Sequence, residues 1–227
     1  MRYKTANHKP IVWSPEFSYC IGLIATDGCL SSDNRHIDFT SKDYELAEIF
    51  RNIIKPSAII GKKRNGQGAF AYRVQFSDVS LYDFLLKLGL TPRKSKTLGR
   101  LLVPDEFYAD FLRGCWDGDG SSNGYWDRRW RSSFMYYMSL ASASTAFLEW
   151  IRYKNTELIE ISAPAIKEYL KNDRTYYVLS YAKKDSRKLF EFIYYAEGLP
   201  FLKRKHNKML KFFMTDPASA RVSGEIR

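Results

Sequence analysis

The chain has 227 residues, 45% of them hydrophobic and 16% aromatic, which is enough to bury a core and argues against disorder. Lys and Arg outnumber Asp and Glu by 36 to 25, and the formal net charge is +11. A surplus of this size favours a polyanionic partner, with nucleic acid ahead of an anionic membrane or a merely soluble basic surface.

The N-terminal segment has no apolar signal core, and no stretch approaches the roughly eighteen apolar residues of a membrane span. We therefore expect neither secretion nor a membrane partner. The three cysteines, Cys20, Cys29 and Cys115, show no CxxC or paired Cys/His spacing. They are expected to be buried free thiols in a reducing compartment, which excludes a disulfide framework and a zinc site.

The first predicted element is a helix that ends in YCIGLIATDG, residues 19 to 28. It carries Asp27 at its C-terminal end, where the helix dipole is negative, and Gly28 predicts a left-handed cap. A carboxylate at that end is disfavoured by up to ~1 kcal/mol, so it should be solvated or lie beside a cation. The segment FLRGCWDGDG, residues 111 to 120, repeats the arrangement with Asp119.

The same order of elements follows each aspartate. After Asp27, the segment RHIDFTSKDYELAEIF predicts a strand and a helix with Asp43 as N-cap. GKKRNGQGAFAYRVQFS then predicts a hairpin that turns at Asn65-Gly66. In its second strand the alternation points one set of side chains inward and the other outward: Tyr72, Val74 and Phe76 against Arg73, Gln75 and Ser77. A helix, SLYDFLLKLGL, and a basic cluster, TPRKSKTL, close the first half.

The second half repeats this order with longer loops. YYMSLASASTAFLEWI predicts a strand and a helix capped by Ser144, and the helix SRKLFEFIYYAEGL and the basic cluster PFLKRKHNKML come last. The strand register of KNDRTYYVLSYA stays undetermined. We predict an N-terminal half-domain at 1–98, a linker at 99–106, a C-terminal half-domain at 107–214 and a polar tail at 215–227.

Small residues lie four apart on one face of each of the two aspartate-bearing helices, Gly22 and Thr26 on the first, Gly114 and Gly118 on the second. Glycine in a helix costs up to ~1 kcal/mol, which a close helix–helix contact can offset. We therefore predict that the two helices pack as a pseudo-twofold interface. The two carboxylates then emerge side by side and need divalent cations to neutralise them.

CIGLIATDG and LRGCWDGDG resemble the two copies of the LAGLIDADG motif of homing endonucleases, and the segments FTSKD and GLTPRKS add to the likeness. It covers about residues 15–213 and is greatest for the single-chain, intron-encoded type. Ala25 departs from the motif where the family has its first aspartate, as do Cys20 and Arg113. The resemblance implies a monomeric α+β fold with two pseudo-symmetric αββαββα repeats, whose antiparallel sheets form DNA-binding saddles.

The resemblance also implies a metal-dependent phosphodiester hydrolase that makes a double-strand break with short 3′ overhangs in a target of about 20 bp. Asp27 and Asp119 would bind Mg²⁺, with the carbonyls of Thr26 and Gly118 as further ligands; Mn²⁺ or Ca²⁺ can occupy such oxygen sites. A basic residue is expected beside each attacking water. Alignment of the two basic clusters selects Lys94 and Lys205 for this role, although Lys96 or Lys203 could equally serve.

Recognition would come from polar side chains on the exposed faces of the sheets. The candidates are His36, Asp38, Thr40, Arg73, Gln75 and Ser77 in the first half, Tyr137, Ser139, Arg128, Arg129 and Arg131 in the second, and Lys62, Lys63 and Arg64 along the DNA backbone. Trp126 and Trp130 either pack the long hairpin or stack on unpaired bases.

Two other functions remain open at this point. One is an RNA maturase that binds its host intron RNA and assists splicing, and the other is a DNA-binding protein of the same fold that does not cleave. The expected partner is double-stranded DNA, with intron RNA as the second candidate. The expected location is the compartment that holds the target genome, either a bacterial or archaeal cytoplasm or an organelle matrix.

Overall fold

The computed structural model describes residues 11–64, 68 and 70–217. The helices and strands of the first half are α1 (Pro15–Asp27), β1 (Gly28–Leu30), β2 (His36–Ser41), α2 (Tyr44–Ile54), β3 (Ile60–Arg64), β4 (Phe70–Ser77) and α3 (Val79–Leu88). Those of the second half are α4 (Tyr108–Asp119), β5 (Gly120–Trp126), β6 (Phe134–Ser142), α5 (Thr145–Ile159), β7 (Lys167–Lys171), β8 (Arg174–Ala182), α6 (Lys183–Ile193) and α7 (Lys203–Thr215). Short 3-10 turns span Lys94–Lys96 and Asp105–Phe107.

The predicted α+β class and the αββαββα order of each half are confirmed, and the second half gains α7 as an additional helix. The two basic clusters therefore differ in structure. The first forms the 3-10 turn at Lys94–Lys96, and the second forms the start of α7. None of the helices in the described part of the chain is both long and apolar enough to cross a membrane.

Each half contains one antiparallel four-stranded sheet, with strand orders β1-β2-β4-β3 and β5-β6-β8-β7. One face of each sheet packs on the helices. In the first sheet Ile37 and Phe39 pair with Phe76 and Val74, and all four are buried, which confirms the alternation predicted for β4. In the second sheet the undetermined register is fixed by two buried pairs, Met138 with Tyr181 and Leu140 with Leu179.

Helices α1 and α4 pack main chain against main chain at their glycines. A Cβ on Gly22 would lie 2.1 Å from the Phe111 carbonyl oxygen, and one on Gly114 would lie 2.0 Å from that of Tyr19. One turn further on, a Cβ on Gly118 would lie 2.1 Å from Thr26 Oγ1. The predicted small-residue interface is confirmed, and it joins the two halves through the centre of the molecule.

The predicted left-handed cap at Gly28 is wrong. Gly28 has φ −87° and ψ 160°, which is extended backbone, and it starts β1 directly after α1. Glycine is needed there because a Cβ would lie 2.6 Å from the Cα of Ile24. The prediction that all three cysteines are buried is also wrong, since Cys20 and Cys115 are buried but Cys29 is exposed on β1.

Arg113 replaces an apolar or small residue of the motif, and it is fully buried. Its guanidinium donates to Asp110 Oδ1 at 2.6 Å and to the carbonyls of Ile193 and Pro200 at 2.8 and 2.9 Å. This side chain therefore ties α4 to the segment between α6 and α7, which compensates the burial of its charge.

Several sequence predictions concern segments outside regular structure. Residues 99–104 form neither helix nor strand, while the domain boundaries themselves stay a prediction. The predicted tail begins with Thr215, the last residue of α7, and its second residue, buried Asp216, accepts a hydrogen bond from Lys183 Nζ at 2.6 Å. Residues 218–227 of that tail and the predicted turn residues Asn65 and Gly66 lie outside the described residues.

The glycine contact predicts that Gly114→Ala destabilises the protein by at least ~2 kcal/mol, because α1 and α4 must separate to admit the methyl group. Gly99→Ala is the matched control, because no heavy atom beyond the neighbouring residues in the chain lies within 4 Å of its Cβ position. It should change the free energy of unfolding by less than about 0.5 kcal/mol. Urea denaturation measures both, and equal stability of the two variants would contradict the contact.

Candidate functional site

Asp27 and Asp119 are the last residues of α1 and α4, so the glycine contact also brings these two acids together. Asp27 Oδ2 lies 3.4 Å from the position that a Cβ on Gly118 would occupy. Burial and, to a smaller extent, the charge of Asp119 raise the pKa of Asp27 to about 7, against the opposing effect of Lys205 and Lys94. Burial likewise raises the pKa of Asp119. The site therefore holds two crowded carboxyl groups.

Lys94 and Lys205 are buried beside these acids, 5% and 9% exposed. Lys94 Nζ donates to the Gly28 carbonyl at 2.5 Å, and Lys205 Nζ donates to those of Trp116 and Gly118 at 2.9 and 2.8 Å. Burial lowers the pKa of both lysines, that of Lys205 to about 8. The alternatives Lys96 and Lys203 are exposed, so the structure brings Lys94 and Lys205 to the acids.

Residues of both halves line a cavity of about 170 Å³ at this point. The first half contributes Ala25, Thr26, Lys94, Ser95 and Leu98, and the second contributes Asp119, Ser142, Ala143 and Phe147. The polar part of the cavity thus combines the lysine of one half with the carboxylate of the other. A chemical centre built here would require both repeats.

The predicted N-cap residues Asp43 and Ser144 occupy the cap positions of α2 and α5, but neither side chain makes a capping hydrogen bond. Each instead contacts the basic cluster of the other half. Ser144 Oγ donates to the Leu98 carbonyl at 2.5 Å, and Asp43 accepts two hydrogen bonds from the Arg204 guanidinium, each 2.7 Å. For Asp43 the physical reason is that the Arg204 guanidinium offers two charge-assisted hydrogen bonds in place of a single cap contact.

The available donors fit a divalent cation. No group of three or more His, Cys, Asp or Glu side chains in the described ranges could hold a metal ion. The oxygens at hand are the two carboxylates and the carbonyls of Thr26 and Gly118, one of which already accepts from Lys205. Hard oxygen donors suit Mg²⁺, Ca²⁺ or Mn²⁺, and a cation would stabilise the two crowded carboxylates in their charged form.

The six candidate recognition residues of the first sheet all lie on the face opposite the core, where His36, Asp38 and Thr40 pair with Ser77, Gln75 and Arg73. Asp38 is nevertheless engaged, because it forms an ion pair with Arg73 and accepts from Thr40 Oγ1 at 3.0 Å. Gln75 and Ser77 remain exposed.

The three basic residues of β3 do not share a face. Lys63 pairs with Ala71 beside Arg73 on the outer face, whereas Lys62 and Arg64 pair with Tyr72 and Phe70 on the other. The Arg64 guanidinium carbon lies 4.7 Å from the centre of the Phe70 ring. The sequence grouped these residues by charge, and the alternation of the strand separates them.

On the second sheet Tyr137 stacks on Tyr125 with ring centroids 6.1 Å apart, and the Ser139 and Ser180 hydroxyls lie 2.7 Å apart. Arg128, Arg129 and Arg131 lie exposed in the loop between β5 and β6. Trp126 packs edge-on against Phe134, while Trp130 is 72% exposed. Of the two alternatives, packing on the hairpin therefore describes Trp126 and not Trp130.

Sequence reasoning missed most of the outer face of the second sheet. The strand pairing places these residues on the same face as Tyr137 and Ser139: Ser121, Asn123, Tyr125, Lys167, Tyr169, Lys171, Arg174, Tyr176 and Ser180. The signal that could have found them is the alternation of β8, in which buried Leu179 and Tyr181 fix the inward set. Adjacent tyrosines obscured this alternation, because tyrosine occurs on either face.

A family model described as a LAGLIDADG-like domain matches residues 14–89. The chain contains a LAGLIDADG-like domain. A comparison with curated protein sequences found no match. The matched segment covers α1 to α3, which includes Asp27 but not Asp119.

Solved structures with the LAGLIDADG fold match this chain over both of its halves. The meganuclease I-AabMI bound to uncleaved DNA superposes with a TM-score of 0.57 at 15% identity, over 94% of this chain and 92% of that one. I-DmoI in complex with DNA and Ca gives 0.53 at 16%, over 86% and 97%. Full-length DUF199/WhiA from Thermatoga maritima gives 0.54 at 14%, over 90% of this chain but 62% of that one. This chain has the fold of single-chain LAGLIDADG homing endonucleases.

The raised pKa of Asp27 predicts a pH-dependent effect of Asp27→Asn on the metal-free protein. The pKa of Asp27 is about 7 in the folded protein, above the ordinary value of 3.8. The folded state therefore resists ionisation of this carboxyl, and the resulting loss of folding stability grows as pH rises between those two values. Asp27→Asn should therefore raise the free energy of unfolding by roughly 2–4 kcal/mol at about pH 8 and much less at about pH 4. Urea denaturation at both pH values is the measurement, with exposed Asp83→Asn as the control. A gain that does not depend on pH would contradict the assignment.

Proposed function

We propose that the chain is a site-specific DNA endonuclease that depends on a divalent metal ion, acts as a monomer and cuts both strands of a target of about 20 bp with short 3′ overhangs. The observation that carries the proposal is the pair of crowded carboxyl groups, one from each motif helix, at the ends of α1 and α4. A single chain supplies both motif helices, which supports action as a monomer.

Within this proposal Asp27 and Asp119 hold the ion, with the carbonyls of Thr26 and Gly118 available as further ligands. The bound ion supplies charge stabilisation for the attacking and leaving oxygens of a phosphodiester displacement, and Mg²⁺ suits these oxygens. Lys94 and Lys205 keep their ammonium groups beside the carboxylates and can orient water or stabilise phosphate charge. Their burial, with pKa values lowered, supports a role in proton transfer near neutral pH.

Duplex DNA is the partner that the outer faces of the two sheets support. The relatives I-AabMI and I-DmoI were solved on DNA, and the net charge of +11 favours a phosphate backbone. Exposed Gln75 and Ser77 on the first sheet and the polar row of Ser121, Asn123 and Ser139 on the second can reach base edges. Arg128, Arg129 and Arg131 suit phosphate contacts at one end of the site.

Cleavage tests the roles of the two acids. Asp27→Asn and Asp119→Asn should each reduce Mg²⁺-dependent double-strand cutting by at least about 100-fold, because a ligand of the ion is lost. DNA affinity in a gel shift should stay the same or increase, since a negative charge near phosphate is removed. Asp83→Asn, an exposed acid on α3, is the control and should cut normally.

The target would be found by cleavage selection from a library of long random duplexes. Full cutting by both asparagine variants would refute the assignment of the acids. A wild-type protein that binds duplex DNA but cuts none with Mg²⁺ or Mn²⁺ would be a non-cleaving DNA-binding protein. Tighter binding of a structured intron RNA than of any duplex would indicate a maturase.

A further inference from the structure

A buried carboxylate near the end of α4 has no part in the chemistry proposed above. Asp117 is 1% exposed. Its Oδ2 accepts hydrogen bonds from the Leu202 amide at 2.7 Å and from the Tyr19 hydroxyl at 2.8 Å. Its Oδ1 has no partner among the described residues. A buried carboxylate is costly unless it is well paired, so these two contacts must account for its presence in the core.

The first contact holds the beginning of α7. Leu202 is the N-cap residue of α7, and the Lys205 amide donates to the Leu202 carbonyl at 3.0 Å, so Lys205 lies in the first turn of that helix. A carboxylate that accepts from a main-chain N–H at a helix N-terminus also interacts favourably with the helix dipole. Asp117 thus fixes the first turn of α7 against the last turn of α4.

The residues on either side of Asp117 bind the side chain of Lys205, which lies in the first turn of α7. Lys205 Nζ donates to the carbonyls of Trp116 and Gly118. Of three consecutive residues of α4, the middle one, Asp117, thus binds the main chain at the start of α7, and the two beside it bind the Lys205 ammonium group. The position of this ammonium group depends on where the first turn lies, and the Asp117 contact sets that place.

The first half lacks this arrangement. Two residues before Asp27 stands Ala25, a buried methyl group where α4 has the Asp117 carboxylate. Lys94 lies in a 3-10 turn that follows Arg93, whose φ of 58° is left-handed, and it reaches the Gly28 carbonyl. The two lysines are thus held by different means, and a change at Asp117 should affect one of them.

We propose that Asp117 is a positioning residue that holds Lys205 against the end of α4 and thereby sets the cutting rate of one DNA strand. The proposal rests on the endonuclease function proposed above. It differs from a purely structural role, because loss of fold stability alone would slow the cutting of both strands alike.

The test is the single-turnover rate of cutting each strand, on duplex labelled separately on either strand. Asp117→Ala should slow one strand roughly tenfold to a hundredfold, as expected for a misplaced catalytic group, and the other by less than about twofold. Lys205→Met should slow the same strand, and the double variant should be no slower than Lys205→Met. Asp117→Asn keeps an oxygen acceptor for the Leu202 amide and should cut near the wild-type rate.

Asp110→Asn is the matched control, since Asp110 is a second fully buried acid on α4 that pairs with Arg113 instead of α7. It should leave the ratio of the two strand rates unchanged. Equal slowing of both strands by Asp117→Ala, or additive slowing with Lys205→Met, would overturn the proposal. If Asp117→Ala does not fold, Asp117→Glu keeps the charge and displaces the carboxyl, so it should slow the same strand; unchanged rates would overturn the proposal.

A wild-type protein that cuts neither strand would refute the endonuclease function and leave the contact itself to be measured without activity. Amide hydrogen exchange across residues 202–206 of the free protein should be at least about tenfold faster in Asp117→Ala than in wild type, because the Leu202 amide loses its acceptor. Exchange in Asp110→Asn should stay near the wild-type rate there. Unchanged exchange in Asp117→Ala would overturn the positioning role.

Discussion

The contact between α1 and α4 at Gly22 and Gly114 is the constraint on which the rest of the structure depends. Main-chain oxygens of each helix lie where a side chain of the other would begin. Two helices that approach this closely have fixed rotation and offset, so their C-terminal ends emerge together. Each end leads directly into the first strand of a sheet, which ties both sheets to the same axis. The geometry of the site thus depends on glycine at positions 22 and 114, where a Cβ atom would prevent the close approach of the helices.

That geometry places two acids close together in a buried site, and the two neighbouring lysines only partly offset the cost of ionising them. Two carboxyl groups are crowded together in a largely dehydrated place, and burial favours their neutral form. Lys94 and Lys205 oppose this effect, but burial also lowers their own pKa values. The Asp27 pKa still lies at about 7 in the presence of both lysines, so additional positive charge would favour the ionised form of the acids. In the proposed function a divalent cation would supply this charge, which would link the packing of the helices to the chemistry.

The sequence predicts those features that depend on local pattern. The repeat of elements, the small-residue faces of the motif helices and the positions of Asp27 and Asp119 all follow from spacing along the chain. The prediction of a left-handed cap at Gly28 is wrong because glycine is needed there for a different reason: a Cβ at this position would clash with Ile24. The register of β7 and β8 was undetermined because tyrosines fit both faces of a sheet.

Long-range contacts account for the rest of what the sequence concealed. Asp43 is bonded to Arg204, Asp38 to Arg73 and Asp117 to Leu202, and each partner is distant in sequence. A charged residue read alone is expected to be solvated, capping or DNA-binding. Its partner becomes visible only once the chain is folded: Asp43 and Arg204 lie in different halves, and each of the other two pairs lies within one half. Arg113, a departure from the motif, is explained in the same way by its hydrogen bonds to the Ile193 and Pro200 carbonyls.

An NMR titration of the Asp27 side-chain carboxyl in the metal-free protein tests the central claim most directly, because it measures whether the two acids share one buried place. The account predicts a pKa of about 7 in wild type and a lower value in Asp119→Asn, in which the neighbouring charge is absent. A wild-type pKa near the ordinary value of 3.8, or the same raised value in both proteins, would contradict it.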